Sequence, residues 1–155
     1  MKEVFFRAKT SSVVTGFNNI EDNNWVFGFY RDKVGLPIIS HFDNTRADYV
    51  DYEVNPQTRC QYIALMDRRG KCIFENDIIE FYSKNWRGDI DKEHKYKGVI
   101  EWDSYYCCWL IDGIGCGTFM FGRDVELRNC MVIGNRFDNP ELLEGWKWQL
   151  KKLVI

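Results

Sequence analysis

Along most of this chain apolar and polar residues alternate with a period of about two, the spacing of a strand with one face buried. Residues 49–54 show it most cleanly, with Val50, Tyr52 and Val54 on one side and Asp51 and Glu53 on the other. Residues 1–8 read as a first strand, Val4 and Phe6 facing one way and Phe5 the other. Residues 25–30 (WVFGFY) and 105–111 (YYCCWLI) are apolar on both faces, as central strands are. Gly28 inside the first of these marks a bulge or a close approach of another backbone. Leu36-Pro37-Ile38-Ile39 predicts an edge strand, since Pro37 cannot donate to a ladder. Residues 9–24, 41–48 and 83–97 lack periodicity and read as polar connections.

The most legible stretch is 60–82, CQYIALMDRRGKCIFENDIIEFY: strand, tight turn, short strand, second turn, strand. In the first turn Asp67 accepts from turn amides, Arg68 and Arg69 fit right-handed positions, and Gly70 supplies the left-handed residue. In the second, Asn76 tolerates positive φ and Asp77 caps its own turn, a reading that outweighs a catalytic carboxylate at a strand mouth. A further hairpin is expected from residues 98–102 and 105–111, turning across Asp103-Ser104. The glycines of 112–117 (DGIGCG) precede a strand-like Thr118-Phe119-Met120-Phe121 rather than a helix, so they form a turn and not a phosphate cradle. Short strands follow at 125–127 and 130–133.

The period changes at the C-terminus. Asn139 as cap, Pro140 at the first helical position and Glu141 beside the positive dipole end open a helix. Leu142, Leu143, Trp146, Leu150 and Leu153 give it an apolar stripe. The expected fold is mainly β: a small, partly open β-barrel or sandwich of short antiparallel hairpins, with one C-terminal α-helix over 140–152. A single domain over 1–155 is expected, divisible into an N-terminal β lobe (1–57) and a C-terminal β lobe (58–138) with the helix.

The run Leu65-Met66-Asp67-Arg68-Arg69-Gly70-Lys71-Cys72-Ile73-Phe74-Glu75-Asn76-Asp77-Ile78-Ile79 resembles the signature of the YopX-like family of phage and prophage proteins. Further matches follow in order: Met1-Lys2-Glu3-Val4-Phe5-Phe6-Arg7-Ala8, Gly98-Val99-Ile100-Glu101-Trp102, Val132-Ile133-Gly134-Asn135 and Asn139-Pro140-Glu141-Leu142-Leu143. Two positions depart from the pattern. Asn76 stands where the family has Gly, compatibly with a left-handed backbone. Ala64 stands where Gly is common, so a positive φ there would be strained. The resemblance implies a phage or prophage accessory protein and brings no established activity, cofactor or catalytic residue.

Composition narrows the function by exclusion. The 155 residues suffice for a core without disulfides or metal. Net charge is −2, so any binding to nucleic acid must come from a local patch. The N-terminus lacks an apolar leader and no run approaches the ~20 residues of a membrane span, so a cytoplasmic location in the host cell is expected. The six cysteines, without a C-x-x-C, read as reduced thiols, and with two histidines they form no zinc pattern.

Candidate chemistry concentrates in residues 83–97, SKNWRGDIDKEHKYK. Lys84, Arg87 and Lys92 interleave with Trp86 and His94, a mixture suited to phosphates and bases, although nearby acids offset the charge. Trp146 and Trp148 on the predicted helix offer an apolar patch to a protein partner. No motif sets His41 or His94 beside a nucleophile, so no catalytic, metal or cofactor site is expected. The reading is a non-catalytic binding protein that engages a host or phage protein or itself as a homo-oligomer. A nucleic-acid module built on 83–97 is the alternative, and an enzyme with an unrecognised site the third.

Overall fold

The computed structural model describes residues 5–10 and 24–144. The chain divides into two compact units, Met1–Tyr62 and Ile63–Ile155. In the first, β1 (Phe6–Lys9), β2 (Trp25–Lys33), β3 (Leu36–Asp43) and β4 (Asp48–Glu53) form an antiparallel sheet in the order β4-β3-β2-β1. The start of β5 (Cys60–Met66) pairs with β1 through Phe6↔Gln61 and Arg7↔Cys60. In the second unit β6 (Cys72–Phe74) neighbours β5. There β7 (Asp77–Phe81), β8 (Tyr96–Asp103), β9 (Cys108–Gly113), β10 (Gly117–Met120) and β11 (Cys130–Asn135) form a sheet ordered β10-β9-β8-β7-β11.

The fold is mainly β and built from antiparallel hairpins, but the sheets stay open and no closed barrel forms among the described residues. No α-helix occurs among them either. At the expected helix start, Pro140–Leu143 is a 3-10 turn, and the remainder of the predicted helix lies outside the described residues. The physical reason at its start is that the Asn139 side chain caps none of the turn's amides, while Leu142 N donates to Asn139 O at 3.1 Å in an i→i+3 bond. The Asn139 Oδ1 accepts instead from Asn135 N at 3.1 Å, tying the turn to the end of β11.

Burial follows the alternation. In the first unit Ala8, Val26, Ile39, Tyr52 and Val54 form one cluster. In the second, β7 and β8 are covered on both faces, which explains their adjacent apolar pairs. Ile79 and Ile100 join Ile63, Ile73, Phe81 and Ile111, whereas Ile78 and Val99 turn to Leu143.

Three strand expectations are corrected. β3 is interior, paired with β2 and β4. Pro37 is tolerated because Ile38↔Glu53 is the last register pair with β4, so its missing N–H falls where that ladder ends. The hairpin after β8 turns later than expected: β9 begins at Cys108, leaving Tyr105 and Tyr106 in the turn. Residues 125–127 form no strand; Val125 makes an isolated bridge with Phe121, and Leu127–Asn129 is a 3-10 turn leading into β11.

Candidate functional site

Residues 83–97 are more ordered than their polarity suggests. Asn85 Oδ1 accepts from Arg87 N at 2.9 Å and Asp89 N at 3.0 Å, and Asn85 N donates to Asp89 O at 2.7 Å. Gly88 takes the left-handed position at φ +82°. This side-chain-braced turn holds Trp86 out at 88% exposure, with the Arg87 guanidinium 4.7 Å from its ring centroid.

The other basic residues of the loop are mostly engaged within the protein. Lys84 Nζ donates to Gly122 O at 3.1 Å and pairs with Glu126 at 2.9 Å, its side chain only 16% exposed. Lys84 therefore fastens the loop to the body rather than facing a ligand. Lys95 pairs with Glu80 at 3.0 Å. His94 Nδ1 lies 2.9 Å from Asp91 Oδ2, and its ring stacks on Tyr96 at 6.5 Å. That bond to His94 holds the Asp91 carboxyl below the usual range. Lys92 is exposed. Of the sequence candidates, Trp86 and Arg87 form a pair, Lys84 is diverted, and Trp146 and Trp148 lie outside the described residues.

Asp91, Glu93 and His94 each bring one ligand atom within 4.8 Å of the others. The group sits on one turn, half-buried at Asp91 and exposed elsewhere, where solvent accounts for it without an ion. The remaining imidazole, His41, has its Nδ1 3.0 Å from Phe27 O. All six cysteines are free, and burial pushes the Cys130 thiol up to about 11, leaving it un-ionised and unreactive at neutral pH.

The two buried carboxylates of the signature stretch hold turns. Asp67 Oδ1 accepts from Arg69 N and Lys71 N, both at 2.9 Å, while Oδ2 accepts from Val132 N at 2.9 Å. The last bond uses an amide beside the register shift between Val132 and Gly134 on β11. Asp77 Oδ2 accepts from Phe74 N at 2.8 Å, and Asn76 between them has φ +68°. Each carboxylate thus has a hydrogen-bonding role that accounts for its burial.

An aromatic cluster that sequence reasoning placed in a strand emerges at the β8–β9 turn. Asp103 Oδ1 accepts from Tyr105 N and Tyr106 N, both at 2.9 Å, and Cys107 closes the turn at φ +50°. Tyr105 and Tyr106 are 85% and 64% exposed and meet edge to face at 4.9 Å. Behind them Trp102, half-exposed, packs edge to face on Trp109 at 5.2 Å. The available signal was Asp103, whose carboxylate can cap the amides two and three residues on and so lengthen the turn.

A search among curated proteins found no match. A family profile described as YopX protein matches residues 17–144, most of the chain, and includes the Asp67 and Asp77 turns and the β8–β9 tip. On that match the chain belongs to the YopX protein family.

Proposed function

We propose that this chain is a non-catalytic binding protein, acting in a phage or prophage setting, that engages a protein partner through the β8–β9 tip. The observation that carries the reading is the exposure of Tyr105 and Tyr106 on a turn braced by Asp103. Rigid, solvent-facing aromatics bury large area for little lost entropy, which makes them recurrent anchors at protein interfaces. The balanced net charge of −2 favours such a partner over a polyanion.

The test is affinity capture from induced host cells, with and without nuclease, comparing the native chain with a Tyr105→Ser/Tyr106→Ser variant. A protein retained after nuclease and lost with the variant supports the reading; capture indifferent to the variant overturns it. Light scattering on both proteins separates self-association from a foreign partner.

The second reading is single-stranded nucleic acid at the 83–97 turn, favoured by the Trp86–Arg87 pair alone. It predicts salt-sensitive binding lost in Trp86→Ala/Arg87→Ala but retained in Lys84→Met, because Lys84 is turned to Glu126.

A further inference from the structure

β11 is the last strand of its sheet in the second unit, so one side of its backbone has no neighbouring strand there. Its sequence, CMVIGN, carries neither a charge nor a proline, the residues by which sheet edges ordinarily turn further strands away. Short uncharged segments of β-forming residues are the ones that pair with copies of themselves. The signature turn lies against this edge and takes its bonds. Arg68 N donates to Cys130 O at 3.1 Å, Arg69 Nη2 donates to Val132 O at 2.8 Å, and Val132 N donates to Asp67 Oδ2 at 2.9 Å. A strand laid beside β11 would use the same three backbone groups. The turn by itself needs only Asp67 Oδ1, which accepts from Arg69 N and Lys71 N. Oδ2 and the Arg69 guanidinium are spent on β11. Carboxylates act alike at two other sheet ends: Asp48 Oδ1 accepts from Tyr49 N at 2.7 Å on β4, and Asp124 Oδ2 from Met120 N at 2.8 Å on β10.

We propose that the Asp67–Gly70 turn stands in for a missing strand and closes β11 to a second copy of this chain, and that without its side chains two β11 edges pair. The edge is complementary to itself. Cys130 and Val132 present their backbone groups to the same side, so two copies meeting antiparallel about Met131 pair Cys130 of each with Val132 of the other. Met131 then opposes Met131, and no like charges meet. β4 is the contrasting case: its edge carries Asp48, Asp51 and Glu53, which repel a second β4. The two side chains of the turn differ in how easily they leave. The Asp67 side chain is fully buried, whereas that of Arg69 is 55% exposed, so Arg69 can swing into solvent while the Asp67 turn stays closed. The device accounts for the charged residues of the signature beyond what its turn geometry requires, and it leaves association to other surfaces of the molecule.

The test is light scattering over about a hundredfold range of concentration, joined to hydrogen exchange at the Val132 amide. Asp67→Asn keeps an oxygen for the turn amides but sets an amide donor against Val132 N, and is expected to speed Val132 exchange at least about tenfold. Arg69→Ala removes no bond within the turn and frees Val132 O. The double variant is expected to gain mass with concentration, beyond any gain of the native chain, and to recover Val132 protection as it does so. Adding Met131→Lys should return the native mass profile, because the new lysines would face each other across the paired edges. Ile100→Ala is destabilised in the same unit with the edge intact, and is expected to keep the native profile. Should the double variant fail to fold, Arg69→Ala alone is expected to associate in the same way at higher concentration. A native profile in every folded variant overturns the proposal. So does association that survives Met131→Lys, or that Ile100→Ala shows equally.

Discussion

Single residues in this protein are held in conformations that their side chains resist or reward. Ala64 has φ +64° within β5 and is exposed, so it carries the left-handed penalty with no packing in return. Replacing it with Gly is expected to stabilise the protein by about 0.5–1 kcal/mol, after allowing for the looser unfolded chain. A urea midpoint that falls in Ala64→Gly would contradict this. Carboxylates contribute in the opposite sense. Burial works to raise the Asp67 pKa, but the amides of Val132, Lys71 and Arg69 and the Arg69 charge outweigh it and hold it low. At Asp51 the Ser40 hydroxyl at 2.6 Å, then Lys33 and Arg31, bring the pKa to about 2 against its partial burial. Both pKa values lie lower in the folded state than the ~3.9 of a free Asp. Their stabilisation is present above pH ~4 and is lost as pH falls through the folded values. Urea titrations at descending pH are expected to show the midpoint level down to about pH 4 and dropping steadily towards pH 2; Asp51→Asn should flatten part of that drop.

At the scale of elements, hairpins are set by turn chemistry and by how closely their strands approach. A Cβ on Gly28 of β2 would sit 2.2 Å from Ser40 O on β3, so the glycine predicted from its place in an apolar strand marks a close backbone approach. Gly28→Ala is expected to cost about 2 kcal/mol or more by prising β2 from β3, read as a loss of thermal midpoint. The Asp67-Arg68-Arg69-Gly70 turn was legible because its bonds span four residues or fewer, with Gly70 at φ +78°. The β8–β9 turn was misread because an apolar run such as YYCCWLI satisfies a strand pattern wherever the turn ends. Only the Asp103 cap decided that Tyr105 and Tyr106 would leave the strand.

At the scale of the whole molecule, each unit has its own buried cluster, that of Ile39 and Tyr52 in the first and that of Ile79, Phe81 and Ile100 in the second. Ile39→Ala and Ile100→Ala each remove a fully buried side chain and are expected to cost about 2–5 kcal/mol. Native-state hydrogen exchange should show Ile39→Ala lowering amide protection mainly within Met1–Tyr62 and Ile100→Ala mainly within Ile63–Ile155. Uniform loss across both units in either variant would mean that they open as one. The sequence alone determined the β class, the alternation that separates Tyr52 from Asp51, the Gly70 and Asn76 turns and the family, since these rest on each residue's own backbone preference and on neighbours a few positions away. Tertiary pairing decided that Lys84 is spent on Glu126 and that Asp67 reaches Val132 across 65 positions. Such outcomes depend on strand order and register, which bring distant groups within bonding distance and leave no periodic trace in the chain itself.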